Sequence, residues 1–192
     1  MNENDNKRPN VIWIFGDHFR GQALSCNGDP NVNTPNIDRL AALGMNFTCA
    51  VSGSPVCSPF RGSLLTSRYP HECVPGLGYR MPVEQKTVAH VFNENGYDTA
   101  YFGKWHVDGR DDRYGKSTNR NNFIPKGFKY IPKERRGGFN TWLGYENNND
   151  QYNVWLHGHR REKEIAHYRL KGYETDCLTD LLIDYLKNMI VC

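Results

Sequence analysis

The 192-residue chain has no long hydrophobic run. Its first apolar stretch, Val11 to Phe15, is far shorter than a secretory signal core or a membrane-spanning helix requires, so the sequence points to a cytoplasmic protein without a membrane partner. An excess of charge is missing too: 24 Lys and Arg stand against 21 Asp and Glu. A net charge of +3 with interspersed signs leaves no footprint for nucleic acid. Paired cysteines are also lacking. Cys26, Cys49, Cys57, Cys73, Cys177 and Cys192 follow no repeating spacing and form no CxxC, which argues against a disulfide framework. His157 and His159 have no second ligand pair at suitable spacing, so structural zinc is not expected. Internal repeats and low-complexity blocks are absent, which excludes solenoids and extended linkers.

What is present describes a globular chain able to bury a core: 38% hydrophobic, 12% aromatic and 23% charged residues. "NVIWIF" reads as a short buried strand ending at Gly16-Asp17-His18. "NTPNIDRLAALG" predicts a helix with Thr34 as cap, Pro35 in the first position and Gly44 as terminator. "MNFTCAV" alternates like a strand, and Pro59 to Ser67 has the composition of a helix starting close to Cys57. "VEQKTVAHVFNENG" predicts a helix and "DTAYFG" a following strand. After a loop-rich stretch from about Asp108 to Gly138, "YETDCLTDLLIDYLKNMI" lines up Leu178, Leu181, Leu182, Tyr185, Leu186 and Met189, with Thr175 or Asp176 as cap. Alternating strands and helices imply an α/β three-layer sandwich with a mostly parallel central sheet, ligands gathering beyond the carboxyl ends of the strands. If "VIWIF" and "TAYFG" are sheet neighbours, Asp17, Lys104 and His106 converge on one rim.

Cys57 has two readings at this level. At a helix N-terminus with Arg61 four residues on, a thiolate is favoured; the alternative is a half-buried structural cysteine. Spacing bears on the choice. Cys57-Ser58-Pro59-Phe60-Arg61, continued through Gly62, Leu64, Leu65, Thr66, Ser67 and Arg68, resembles the Cys-x-Pro-x-Arg signature of type I sulfatases, and "GYDTAYFGKWH", Gly96 to His106, resembles their second signature. "RPNVIWIFGDHFRGQALSCNGDPNVNTPNIDRLAALG" and "GYETDCLTDLLIDYLK" extend the resemblance over nearly the whole chain.

The resemblance implies an alkaline-phosphatase-like α/β fold in which Cys57 is oxidised to formylglycine by a separate maturation enzyme. Hydrated formylglycine offers two hydroxyls: one attacks the sulfur of a sulfate ester, and the other expels sulfate and regenerates the aldehyde. It further implies that Asp17 ligates a divalent cation, Ca²⁺ on the basis of oxygen ligands, with His18 and the group at Cys57 as further candidate ligands, ligation by Asp17 alone or a more nitrogen-tolerant ion left open, and the rest of the set expected from the absent C-terminal half. His18 departs from the pattern, since many relatives carry Asp or Gln there and imidazole suits calcium poorly. Arg61 would anchor the formylglycine side, Lys104 would contact the diol or sulfate oxygens, and His106, on the same side as Lys104 if the segment is extended, would take the proton in the elimination. Trp105 between them is expected to pack inward.

Other features read more plainly. "KERRGG", Lys133 to Gly138, with Arg110, Arg113, Lys116 and Arg120 could attract a polyanion such as a sulfated carbohydrate, or form a solvated loop; Asn147 to Asn149 and His157 to Arg161 are read as solvated loops. Sulfatases are usually more than twice this length, and no Asp-His-Gly or Asp-Asn-Gly follows Asp150. Residues 1–192 are accordingly expected to be the N-terminal part of a sulfatase catalytic domain, its C-terminal half absent and its activity alone weak or nil. The rival readings are a phosphonate or phosphate ester hydrolase of the same superfamily, and a non-catalytic sulfatase-derived binding module.

Overall fold

The computed structural model describes residues 8–110 and 126–189. The chain forms two compact units, Met1–Val51 and Ser52–Cys192. No helix among the described residues is long and apolar enough to cross a membrane.

The first unit is built on one helix, α1 (Pro35–Leu43), with Pro35 in its first position and Gly44 after its end, as the sequence predicts. Its N-terminus is organised by Asp38 rather than by Thr34 alone. Asp38 accepts from the Ser25 hydroxyl at 2.7 Å, the Thr34 hydroxyl at 2.9 Å and the Cys26 backbone N–H at 3.1 Å, tying the helix to the preceding short turn. Two expected strands do not form. Val11 to Phe15 and the "MNFTCAV" segment lack strand pairing among the described residues, and Val11, Ile12, Trp13 and Ile14 are exposed. Side-chain pattern alone cannot make a strand, because each N–H and C=O needs a neighbouring backbone, and the described residues of the first unit supply none.

The second unit carries a four-stranded sheet in the order β1-β2-β3-β4: β1 (Ala100–Lys104), β2 (Thr141–Tyr145), β3 (Trp155–Arg160) and β4 (Lys163–Arg169). The α/β class is as expected, but the sheet is mixed. β1 pairs with β2 in parallel, from Ala100 opposite Thr141 to Lys104 opposite Tyr145, whereas β2–β3 and β3–β4 are antiparallel. Connection length fits the difference, since the short links β2–β3 and β3–β4 are too short for a crossover and suit antiparallel pairing, whereas the long crossover after β1 permits a parallel one. Around the sheet lie α2 (Cys57–Thr66), α3 (Pro70–Cys73), α4 (Val88–Glu94) and α5 (Glu174–Met189). α5 begins one or two residues before the expected caps, and two residues of its apolar stripe, Leu178 and Leu181, pack against Tyr145, Val154, Leu156 and Leu170.

β3 corrects the reading of His157 to Arg161 as a solvated loop. His157 is fully buried and His159 is 2% exposed. The strand is covered on both faces, so it shows no polar alternation for a sequence reading to detect. Gly158 allows the close pairing: a Cβ there would lie 1.7 Å from the Trp142 carbonyl oxygen. "KERRGG" is corrected likewise. Lys133 is exposed and pairs with Glu162, but Arg136 is fully buried, donating to the Ile131 carbonyl at 2.8 Å and to Glu164 at 2.6 and 3.0 Å, with its guanidinium over Trp142. These residues hold the crossover against the sheet. Arg113, Lys116 and Arg120 lie outside the described residues.

The buried histidines make stability depend on pH. His157 Nε2 accepts the Ile131 N–H at 2.8 Å, so the neutral ring carries its proton on Nδ1, which has no partner among the described residues. Burial, with His167 and Arg136 nearby, lowers its pKa to about 3. Its unfolded value is near 6.5, so as pH falls through 6.5 the unfolded state binds the proton first and folding weakens. Relative to His157→Gln, wild-type unfolding free energy should therefore drop by about 1.4 kcal/mol between pH ~7.5 and ~5.5, measured by urea titration. A constant difference across that range would contradict this assignment.

Candidate active site

Cys57 is the first residue of α2, and Val56 before it is extended. Proline at position 59 fits because the first turn of a helix has no intrahelical use for its N–H groups. The thiol, half-buried, therefore lies at the positive end of a ten-residue helix dipole. Gly62 lets the helix seat deeply: a Cβ there would lie 2.7 Å from Val74 Cγ2 and 3.2 Å from Cys73 Sγ. Beside Cys57, the Ser58 hydroxyl is buried without a hydrogen-bond partner among the described residues.

β1 brings Lys104 to the same corner, its Nζ 3.9 Å from Cys57 Sγ and its side chain largely buried. One helical turn beyond Cys57, Arg61 is 5% exposed. Its Nη1 donates to the Lys104 carbonyl at 2.5 Å and approaches the Tyr101 hydroxyl at 3.3 Å, and that hydroxyl also donates to the Lys104 carbonyl. Two donors thus clamp one oxygen, and the clamp joins α2 to β1. Tyr101 is fixed in turn by edge contact with Trp105 and stacking on Trp142. Sequence reading assigned Arg61 to the reacting group directly and gave Tyr101 no role; a tyrosine inside a strand carries no signal for such a task.

The backbone turns sharply after β1. Trp105 is fully buried, as expected, and its N–H is held by the Tyr145 carbonyl at 2.7 Å. His106 then adopts φ 53°, the left-handed region, which costs a non-glycine residue about 1–2 kcal/mol. The expectation that Lys104 and His106 project together from an extended segment is therefore corrected: the strand ends at Lys104 and His106 stands, half-buried, on a left-handed turn.

Asp17 and His18 belong to the first unit. His18 also has positive φ, 55°, and its Nε2 lies 4.0 Å from Asp17 Oδ2, with 76% and 36% of the two side chains exposed. Val11–Phe15, expected as the strand leading to Asp17, is not a strand among the described residues.

A cysteine and a lysine at the positive end of a helix, on a rigid buried support, form a corner complementary to a tetrahedral oxyanion. The fold, helices around a mixed α/β sheet, matches the alkaline-phosphatase-like architecture of a solved sulfatase-type enzyme. The sulfatase family model matches residues 9–189, and the chain belongs to the sulfatase family. It is 42% identical over 162 residues to an ulvan-active sulfatase of Formosa agariphila, covering 84% of this chain and 29% of that protein. An endo-4-O-sulfatase of Bacteroides thetaiotaomicron is 36% identical over 205 residues, covering 88% and 40%. The YidJ protein of Bacteroides fragilis superposes with a TM-score of 0.74 at 29% identity, over 90% of this chain and 38% of that one. The chain thus spans well under half the length of these relatives.

Because the Lys104 carbonyl is buried, its two donors should be unequal when removed. Tyr101→Phe should cost about 1 kcal/mol and Arg61→Met about 2–4 kcal/mol in urea unfolding followed by tryptophan fluorescence, since only the second removes a charge-assisted donor. Equal, near-zero losses would show that the clamp does not hold the corner.

Proposed function

We propose that the chain carries the nucleophile-bearing site of a sulfuric ester hydrolase that cleaves sulfate esters of carbohydrate, with Cys57 oxidised to formylglycine by a maturation enzyme. The observation that carries this reading is the approach of Lys104 Nζ to Cys57 Sγ at the start of α2, over a support made by Arg61 and Tyr101. The names of the ulvan-active and endo-4-O relatives support a sulfated carbohydrate.

Asp17 and His18 are proposed as ligands of a divalent cation, calcium being favoured by the carboxylate. Two atoms bound to one ion at about 2.0–2.5 Å each can lie no more than roughly 5 Å apart, so the observed 4.0 Å separation fits. When present, formylglycine supplies the attacking hydroxyl and the cation withdraws charge from the sulfuryl oxygens. The protein's own residues do the rest. The Lys104 ammonium, fixed at the corner, holds an anionic oxygen and offsets charge that grows in the transition state. His106, whose imidazole can take up a proton, accepts the one released as sulfate departs. Arg61 orients Lys104 through its carbonyl and keeps the floor of the site dry. A structural cysteine would explain a half-buried thiol, but not a lysine ammonium brought beside it.

The reading is tested by peptide mass spectrometry of residues 54–61 from a host with the maturation enzyme, where Cys57 should lose H₂S and gain one oxygen atom. Unmodified thiol would favour a binding module. In a matured protein that turns over an aryl sulfate, Lys104→Ala should lower kcat/KM by roughly 10²–10³. Equal hydrolysis of the matching phosphate ester would favour the phosphate reading instead.

A further inference from the structure

A second cluster of buried charge lies behind the turn that follows β1. Asp108, Glu146 and Lys129 are 3%, 4% and 6% exposed, and Arg135 joins them. Lys129 Nζ lies 2.7 Å from Asp108 Oδ2 and donates to the carbonyls of Asp108 at 2.7 Å and Gly109 at 2.9 Å. Arg135 Nε donates to Asp108 Oδ1, and its Nη2 reaches the Met81 carbonyl at 3.0 Å. The Asp108 carboxylate is thus committed to two cations.

Glu146, one residue past the end of β2, does something different: its two oxygens accept the backbone N–H of Asp108, at 2.9 and 3.1 Å. A buried carboxylate is an expensive acceptor for one amide, because its desolvation far exceeds that of a neutral group. Its use here marks an amide whose position matters. Only Val107 separates that amide from His106, and Val107 is itself buried, its carbonyl accepting the Met81 N–H at 2.8 Å. Movement at Asp108 therefore passes directly to the His106 backbone, which is held in an unfavourable left-handed conformation.

We propose that Glu146 is a positioning residue for His106, gripping the Asp108 amide and so fixing the left-handed turn that presents the imidazole. This rests on the reading of His106 as the proton carrier. From the turn after β1, Asp108 faces Glu146, and from the crossover Lys129 and Arg135 do. Burial raises the Glu146 pKa to about 7, with Lys129 opposing and Asp108 reinforcing the rise. Near neutrality the carboxyl is thus already part-protonated, and glutamine, an uncharged acceptor of the same shape, is a close substitute.

The test reads the imidazole rather than turnover: C2-hydrogen exchange of His106 by mass spectrometry on the whole chain, with backbone exchange over β2 and β3 reporting the fold. Glu146→Ala should speed His106 exchange at least about threefold while β2 and β3 stay protected, and Glu146→Gln should remain within about twofold of wild type. Should the alanine variant fail to fold, Glu146→Asp, which keeps the charge but loses the reach, takes its place with the same expected increase. Unchanged His106 exchange in a folded Ala or Asp variant, or a Gln variant as fast as either, overturns the proposal. Failure of Cys57 to mature would defeat the sulfate-ester reading and leave this measurement intact.

Discussion

One backbone oxygen, the carbonyl of Lys104, organises the second unit. It receives the Arg61 guanidinium and the Tyr101 hydroxyl together. The carbonyl ends a strand, the guanidinium hangs from a helix, and the hydroxyl belongs to the same strand three residues earlier. Joining them fixes the register of α2 against β1, and with it the approach of Cys57 to Lys104. The surroundings make the join strong. Tyr101, Trp105, Trp142 and Phe139 pack ring against ring, leaving little water to compete for the shared oxygen.

The same logic recurs where charges are buried. Arg136, Lys129 and Arg135 come from the crossover between β1 and β2, and each binds carbonyls or carboxylates of the sheet or its flanking turns. Burying a cation costs several kcal/mol unless its donors are satisfied, and breaking such a pair is costlier than never having formed it. Within "KERRGG", read from composition as basic and solvated, Arg135 and Arg136 are therefore internal struts.

The parts legible in the sequence were those with local causes. α1, α2, α4 and α5 follow from proline, glycine and apolar spacing within a few residues, and β1 from a β-branched and aromatic run after a turn. The meeting of Cys57, Arg61 and Lys104 at one corner was legible because two signatures lie at fixed spacing. What escaped had distant causes. Val11 to Phe15 has the pattern of a strand but no paired backbone beside it among the described residues of its unit. "WLHGHR" has no such pattern yet becomes β3, because both its faces are covered and His157 and His159 each find a buried partner. Tyr101 and Glu146 act on backbone groups, and nothing in a side-chain pattern records which amide or carbonyl will need holding.

The single parallel pairing, β1 with β2, also carries a cost in chain entropy. The β3–β4 hairpin closes over almost no chain, whereas β1 meets β2 only after the whole crossover from Lys104 to Thr141, a difference worth roughly 2–3 kcal/mol in loop closure. That loop is not left to close on its own. Lys129 and Arg135 fasten it to the turn after β1, and Arg136 to β4, so a long closure becomes several short ones. The corner around Cys57 thus depends for its persistence on residues that touch no reacting group and act on the entropy of the chain instead.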